Sequence, residues 1–347
     1  MIQHPSFYLE EQQTEAIRQY AQAAEAAGKL VPDQLRIAYS NNWFNLFVPV
    51  RLGGMGLSLP DALKLEEAIA WADGSMGWTV TLCGGANWFV GFLPAEVREK
   101  IFADKQVCLA GSGQATGVAS IVAGGYDVSG SWKFATGSPH ATAFTANCYI
   151  EKDGRMEMDA AGIPVIKSFI FLPQEVQVIK SWNAIGMVAT ASHGFKVHAL
   201  RVPENRCFSI NSATPELTDP IFQYPFLQFA EATLTANLSG MTLRFLELGA
   251  GMIDQASNSF ELHAFHMERF QQQRESFSQA VAESWFHGAD NQNSKTGPVP
   301  EQFICVSRAA RLLFEKAMKA VDSCYLLYGL SAADPLSEIN RVWRNIH

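Results

Sequence analysis

The stretch CLAGSGQATGVASIVAGGYDVSGSWKFATGSPHATAFTA, Cys108–Ala146, decides how the chain is read. Short runs that suit strands, Ser120–Ala123, Tyr126–Ser129 and Ser131–Ala135, alternate with turn signals at Gly124-Gly125 and Ser129-Gly130. Gly-Gly between two such runs marks a tight hairpin. Tyr126, Val128, Trp132 and Phe134 fall on alternate positions, which predicts one apolar face on a pleated ribbon. The ends of the ribbon are unusual. Ala110-Gly-Ser-Gly-Gln-Ala-Thr-Gly117 has no bulky side chain, so a planar ligand can approach its backbone closely. Trp132-Lys-Phe-Ala-Thr-Gly-Ser138 joins aromatic surface to a hydroxyl and a flexible turn. A flavin ring needs such a place, with apolar surface on one face and hydrogen-bond partners along its N5–O4 edge. A plain β core ribbon with Gly-rich turns satisfies the same composition.

Outward from this ribbon the chain divides into three zones. Residues 1–104 read as an N-terminal helical domain. Leu9–Ala27 is rich in Ala, Gln and Glu with Gly28 placed to end a helix, and Ser58 is placed to cap the helix Leu59–Ala72. A helix from Met76 to about Phe92 is apolar nearly all round and is expected to be buried. Residues 105–206 read as a middle β domain, a small barrel or sandwich, because short strand-like runs recur there between Gly and Pro. Residues 207–347 read as a C-terminal four-helix bundle: Phe226–Ala250, Met252 to about Gln273, about Glu275 to His287, and Pro300 to about Tyr328, with Gly288–Val299 as a loop. The fold class is α+β.

Composition narrows the function. The chain has 347 residues, 48% hydrophobic and 17% charged, which fits well-buried cores and argues against disorder. The net charge of −8 offers no basic footprint for nucleic acid or an anionic membrane. No secretory leader and no membrane-spanning run is read, and a cytoplasmic location is expected. The six cysteines, Cys83, Cys108, Cys148, Cys207, Cys305 and Cys324, are scattered without a C-x-x-C pair and read as reduced buried thiols, with no metal site.

The order helical zone, β zone, helical bundle resembles the acyl-CoA dehydrogenase superfamily. Phe47-Val-Pro-Val-Arg-Leu-Gly-Gly-Met-Gly-Leu57 is similar to its entry loop, and Glu66-Glu67 through Ala72-Asp73-Gly-Ser75 to its "EE(I/L)AxxDgS" helix. Gly125–Trp132 with Phe134-Ala-Thr-Gly137 resembles its flavin segment, Trp182–Ser192 its second middle-domain signature, and Arg341–His347 its terminal segment. The Gly-Ser-Met-Gly-Trp78 and Trp132–Gly137 versions are closest to a branch of flavin monooxygenases that use reduced flavin from a separate reductase. The resemblance implies flavin contacts at Ser112, Gly117, Trp132, Phe134, Ala135 and Thr136. Thr136 is expected at flavin N5 and O4, where its hydroxyl can donate to an oxidised ring or accept from a reduced one. Arg269 or Arg274 is expected at the pyrophosphate. The implied cofactor is FAD, with FMN or a transiently bound reduced flavin as alternatives.

Three functions follow. The first is an acyl-CoA dehydrogenase-like oxidation of an acyl thioester across a CH–CH bond, with Glu231 or Glu338 as the base that takes the α proton. The second is a two-component monooxygenase acting on an aromatic or sulfur compound, with Asn87 where family members commonly have a His and His140 as a polar group near the flavin edge. The third is a degenerate, non-catalytic scaffold. Implied partners are a small-molecule substrate and a flavin reductase or electron acceptor, and a homotetramer or homodimer is expected.

Overall fold

The computed structural model describes residues 2–290, with side chains to 286, and 300–347. Its N-terminal part is helical: α1 (Glu11–Ala27), α2 (Pro32–Ser40), α3 (Leu59–Ala72), α4 (Gly74–Asn87) and α5 (Ala95–Ile101). The caps follow local chemistry. Gly28 closes α1 at φ 65°, which a residue with a side chain rarely adopts. The Ser58 hydroxyl accepts from Asp61 N at 3.3 Å to start α3. Asp73 starts α4 in the same way, accepting from Met76 N at 2.8 Å.

The β part is one sheet of eight strands: β1 (Leu109–Val122), β2 (Gly125–Ala135), β3 (Ala143–Lys152), β4 (Arg155–Met156), β5 (Ile166–Phe171), β6 (Gln177–Ile179), β7 (His193–Pro203) and β8 (Cys207–Phe208). Its order is β6-β7-β2-β1-β3-β5-β8, with β4 beside β3. The hairpin at Gly124-Gly125 forms, with Val122 opposite Gly125. Ser129-Gly130 is not a turn, however: the register to β7 shifts between Val128 and Gly130, so a bulge lets β2 run on. A Cβ on Gly130 would stand 2.5 Å from the Trp132 ring, and that indole fills the bulge. Tyr126, Val128 and Trp132 are buried on one face as the alternation predicts. Phe134 leaves that face because its φ is +66°, and it stands 56% exposed.

The chain returns to helix with α6 (Pro220–Gln223), α7 (Phe226–Ala250), α8 (Asn258–Asp290), α9 (Glu301–Tyr325) and α10 (Glu338–Ile346). The break expected near Gln273 is absent. Phe270, Phe277 and Val281 bury one continuous stripe, so the two expected helices are a single α8, and the long helices α7, α8 and α9 are accompanied by the short α6 and α10. Residues 291–299 of the expected loop lie outside the described residues. The two helical zones, separate in sequence, share one hydrophobic core running from Leu9 to Val342. The sheet has a second core around Trp132, Phe169, Phe171 and Phe195. No helix among the described residues is long and apolar enough to cross a membrane.

Candidate active site

A cavity of about 270 Å³ opens where the two cores meet. α4 supplies Thr81, Leu82, Gly85 and Ala86, with Phe89 just beyond it, and α7 supplies Phe226, Phe229, Ala230, Thr233 and Leu234. The sheet supplies Ala110–Gly113 of β1, Thr145–Asn147 of β3 and Ser168 of β5, with Thr136 just past the end of β2. Among the described residues, none that lines the cavity carries an ionisable side chain. The polar groups are hydroxyls and one amide. Asn147 is spoken for, since its Nδ2 donates to Gly113 O at 2.9 Å and its Oδ1 accepts from Ser168 at 2.7 Å. The Thr81 hydroxyl is buried without a partner among the described residues. Gly85 opens directly onto the cavity, with nothing within 4 Å of where a Cβ would stand.

Thr136 is the buried end of a hydroxyl chain. Its Oγ1 lies 2.8 Å from Ser192 Oγ, which lies 2.8 Å from Thr190 Oγ1, which lies 2.8 Å from Met187 O. A hydroxyl carries one proton and a carbonyl carries none. Thr190 therefore donates to Met187, Ser192 to Thr190, and Thr136 to Ser192. Thr136 is left with only lone pairs for the cavity. The chain sits on strained backbone, since Met187 and Ala191 have φ of 51° and 46°. Several bonds hold that backbone: Met187 N donates to Asn345 Oδ1 at 2.7 Å, Gly137 N to Thr190 O at 2.9 Å, and Ser138 Oγ to Ala191 O at 3.0 Å.

The other residues singled out from sequence separate into those near the cavity and those with other work. Ser112 lines the cavity beside Gly111 and Gly113. Phe134 stands outside it, edge-on to Trp182 at 6.2 Å between ring centres. Ala135 is fully buried in the sheet. Trp132 is buried as well, stacked on Phe195 at 5.2 Å with its Nε1 donating to Asn147 O at 3.0 Å, so its ring belongs to the sheet core and not to a ligand surface. Gly117 is a glycine on account of that indole: a Cβ there would meet the Trp132 ring at 2.3 Å.

Asn87 does not reach the cavity. Its Nδ2 donates to Asn45 Oδ1 at 2.8 Å and Val107 O at 3.1 Å, and its Oδ1 accepts from Leu109 N at 2.9 Å, which clamps α4 to the start of β1. Glu231 faces α9 and accepts from the Ser307 hydroxyl, while its neighbour Ala230 lines the cavity; adjacent positions on a helix diverge by about 100°. Glu338 is paired with Arg244 at 2.7 Å. Arg274 is held in a buried bidentate pair with Glu67 at 2.6 and 2.7 Å, and Arg269 lies exposed over the Phe265 ring. His140 packs beside Phe44, outside the cavity lining.

Sequence reading missed Ser192 and Thr190, although both lie in the quoted Trp182–Ser192 segment. It also missed that Cys83, Cys108 and His140, far apart in sequence, converge behind Thr136. There the neighbouring Cys108 thiol draws the Cys83 thiol below its ordinary value, burial opposes this, and His140 adds to the lowering. The nearby Tyr39 phenol is pushed up, chiefly by burial.

These features define an α+β protein of the acyl-CoA dehydrogenase-like fold, and within that fold the chain resembles the flavin-dependent monooxygenase branch. No family model matches the chain. The oxygenase subunit HsaA of a flavin-dependent monooxygenase from Rhodococcus jostii RHA1 is 27% identical over 234 residues, covering 65% of this chain and 59% of HsaA. Indole-3-acetate monooxygenase of Pseudomonas putida is 27% identical over 211 residues, covering 60% of this chain and 52% of the relative. These matches thus span between half and three-fifths of the relatives' length. Among solved structures, HsaA of Mycobacterium tuberculosis superposes with a TM-score of 0.87 at 22% identity, over 97% of this chain and 89% of that one. XiaF from Streptomyces sp., in complex with FADH2 and glycerol, gives 0.81 at 18% identity, over 96% and 87%. The expectation of acyl-CoA dehydrogenation is overturned: the relatives are named as monooxygenases, and among the described residues no carboxylate lines the cavity to take an α proton.

Proposed function

We propose that this chain is the oxygenase component of a two-component flavin-dependent monooxygenase. In this reading it takes reduced flavin, FAD before FMN, from a separate reductase and hydroxylates a compact, uncharged aromatic compound. The observation that carries the reading is the polarity of Thr136. A lone pair at the floor of the cavity complements the N5–H of a reduced flavin and opposes the bare N5 of an oxidised one. The residues present fit such a ring: Ala110–Gly113 line the cavity with small side chains or none, and nothing lies within 4 Å of a Cβ at Gly113.

Bound there, a reduced flavin supplies the electrons that activate dioxygen. The chain's own part is to bind, orient and keep water out. Phe89, Phe226, Phe229, Leu82 and Leu234 form an apolar chamber for an aromatic ring. A charged substrate would lose its hydration there and find no counter-ion, which favours neutral ones. The bundle helices are proposed to associate as a dimer or tetramer.

The test combines the purified chain with FAD, an NADH-driven flavin reductase and oxygen. Indole and simple phenols are offered beside anionic and acyl-CoA compounds, and products are read by mass. Gain of one oxygen on a neutral aromatic, dependent on the reductase, supports the proposal. Turnover of acyl-CoA alone overturns it, and flavin binding without any product favours the non-catalytic scaffold.

A further inference from the structure

Behind Thr136, on the side away from the cavity, three metal-ligating side chains meet. Cys83 comes from α4, Cys108 from the residue before β1, and His140 from the turn after β2. One donor atom from each lies within 4.8 Å of the other two. Both cysteines are fully buried. The His140 Nε2 is buried and has no hydrogen-bond partner among the described residues, an arrangement that costs free energy unless something is bound to it. Gly137 has a φ of +74°, and a Cβ on it would stand 2.7 Å from Cys83 Sγ and 3.0 Å from His140 Nε2. The glycine therefore lets the thiol and the imidazole both close on the same point of the backbone.

We propose that Cys83, Cys108 and His140 form a closed binding site for one zinc-type divalent ion. Two thiolates and a neutral imidazole around a divalent d¹⁰ cation sum to zero charge, which suits a site whose two sulfurs are fully buried and whose histidine is half-buried. Sulfur and nitrogen donors also select this class over magnesium or calcium. The Thr136 carbonyl, 3.6 Å from Cys83 Sγ and accepting from that thiol, is a further oxygen beside the cluster. Binding displaces the two thiol protons to solvent, and no oxidation is involved. The ion ties together α4, the entry to β1 and the turn that carries Thr136. The inference rests on these residues alone and is independent of the proposed oxygenase reaction.

The experiment uses the full chain, treated with reductant and chelator and then titrated with Co²⁺ without oxygen. One equivalent of cobalt is expected to give thiolate-to-metal charge-transfer absorption and the strong visible bands of a tetrahedral site, both removed by Zn²⁺. Cys83→Ser, Cys108→Ser and His140→Ala each lose these bands, whereas Cys305→Ser, on α9, keeps them. Should a ligand variant fail to fold, the unmodified chain still decides: in enough denaturant to expose the buried thiols transiently, Zn²⁺ is expected to slow alkylation of Cys83 and Cys108, mapped by mass, while leaving Cys305 as reactive as before. Absence of the bands in reduced protein, their persistence in Cys108→Ser, or protection that does not distinguish Cys305 overturns the site.

Discussion

At the scale of single residues the chemistry turns on proton counts. Thr136 can face a ligand only as an acceptor because Ser192 and Thr190 pass its proton to a carbonyl. Ser192→Ala removes the acceptor and frees the Thr136 proton for the cavity. We expect the variant to gain affinity for oxidised relative to reduced flavin by about tenfold, the worth of one hydrogen bond of about 1.4 kcal/mol. Fluorescence titration with each redox state measures this, and an unchanged ratio would contradict the assigned polarity. Glu66 tests burial instead. It is fully buried in α3, neither oxygen has a partner among the described residues, and burial raises its carboxyl well above the ordinary 4.5. Between 4.5 and that raised value the folded chain holds a proton that the unfolded chain has lost. Stability therefore falls as pH rises through this window, by up to about 1.4 kcal/mol per pH unit from this group. Glu66→Gln is expected to be more stable than the parent in urea at about pH 8, with the difference shrinking towards about pH 5. A difference independent of pH would contradict a protonated Glu66.

At the scale of elements, α4 and α10 do different things for the cavity. Gly85 on α4 costs helix stability of roughly 0.5–1 kcal/mol relative to Ala, with no close packing to require it. Gly85→Ala is expected to raise the melting temperature, and Gly85→Leu to fold while filling the cavity and abolishing aromatic binding, as calorimetry would show. Loss of folding in Gly85→Leu would mean that the space is not open. α10 reaches the site from behind. Asn345 holds the Met187 amide, and Met187 O anchors the hydroxyl chain. Asn345→Ala leaves a buried N–H unpaired, at a cost of about 1–3 kcal/mol. It is expected to loosen flavin binding although Asn345 touches no part of the cavity lining; unchanged flavin affinity would separate α10 from the site.

At the scale of the whole molecule, helices from both ends of the chain share one core, and the cavity lies at its seam with the sheet core. Leu262, Phe265, Ile304, Leu312 and Phe314 nevertheless stay exposed on α8 and α9. Light scattering is expected to find a dimer or tetramer, and Phe265→Asp with Phe314→Asp to yield smaller species; a monomeric parent chain would contradict this. Hydrophobic periodicity and turn chemistry are local, so the sequence by itself determined the order of helices and strands, the Gly124-Gly125 hairpin and the small-residue edge at Ala110–Gly113. It also singled out Thr136, which the structure places in the cavity lining. Which way a side chain points is set by packing between distant segments, and only the tertiary structure decided that. One helical position separates Glu231 from the cavity, a bulge and a positive φ put Trp132 inside and Phe134 outside, and Asn87 spends its amide on the backbone of β1. The direction of the Thr136 proton depends on a carbonyl about fifty residues further along the chain. Pattern along a sequence carries periodicity, while hydrogen-bond direction and side-chain facing are properties of neighbours that only folding supplies.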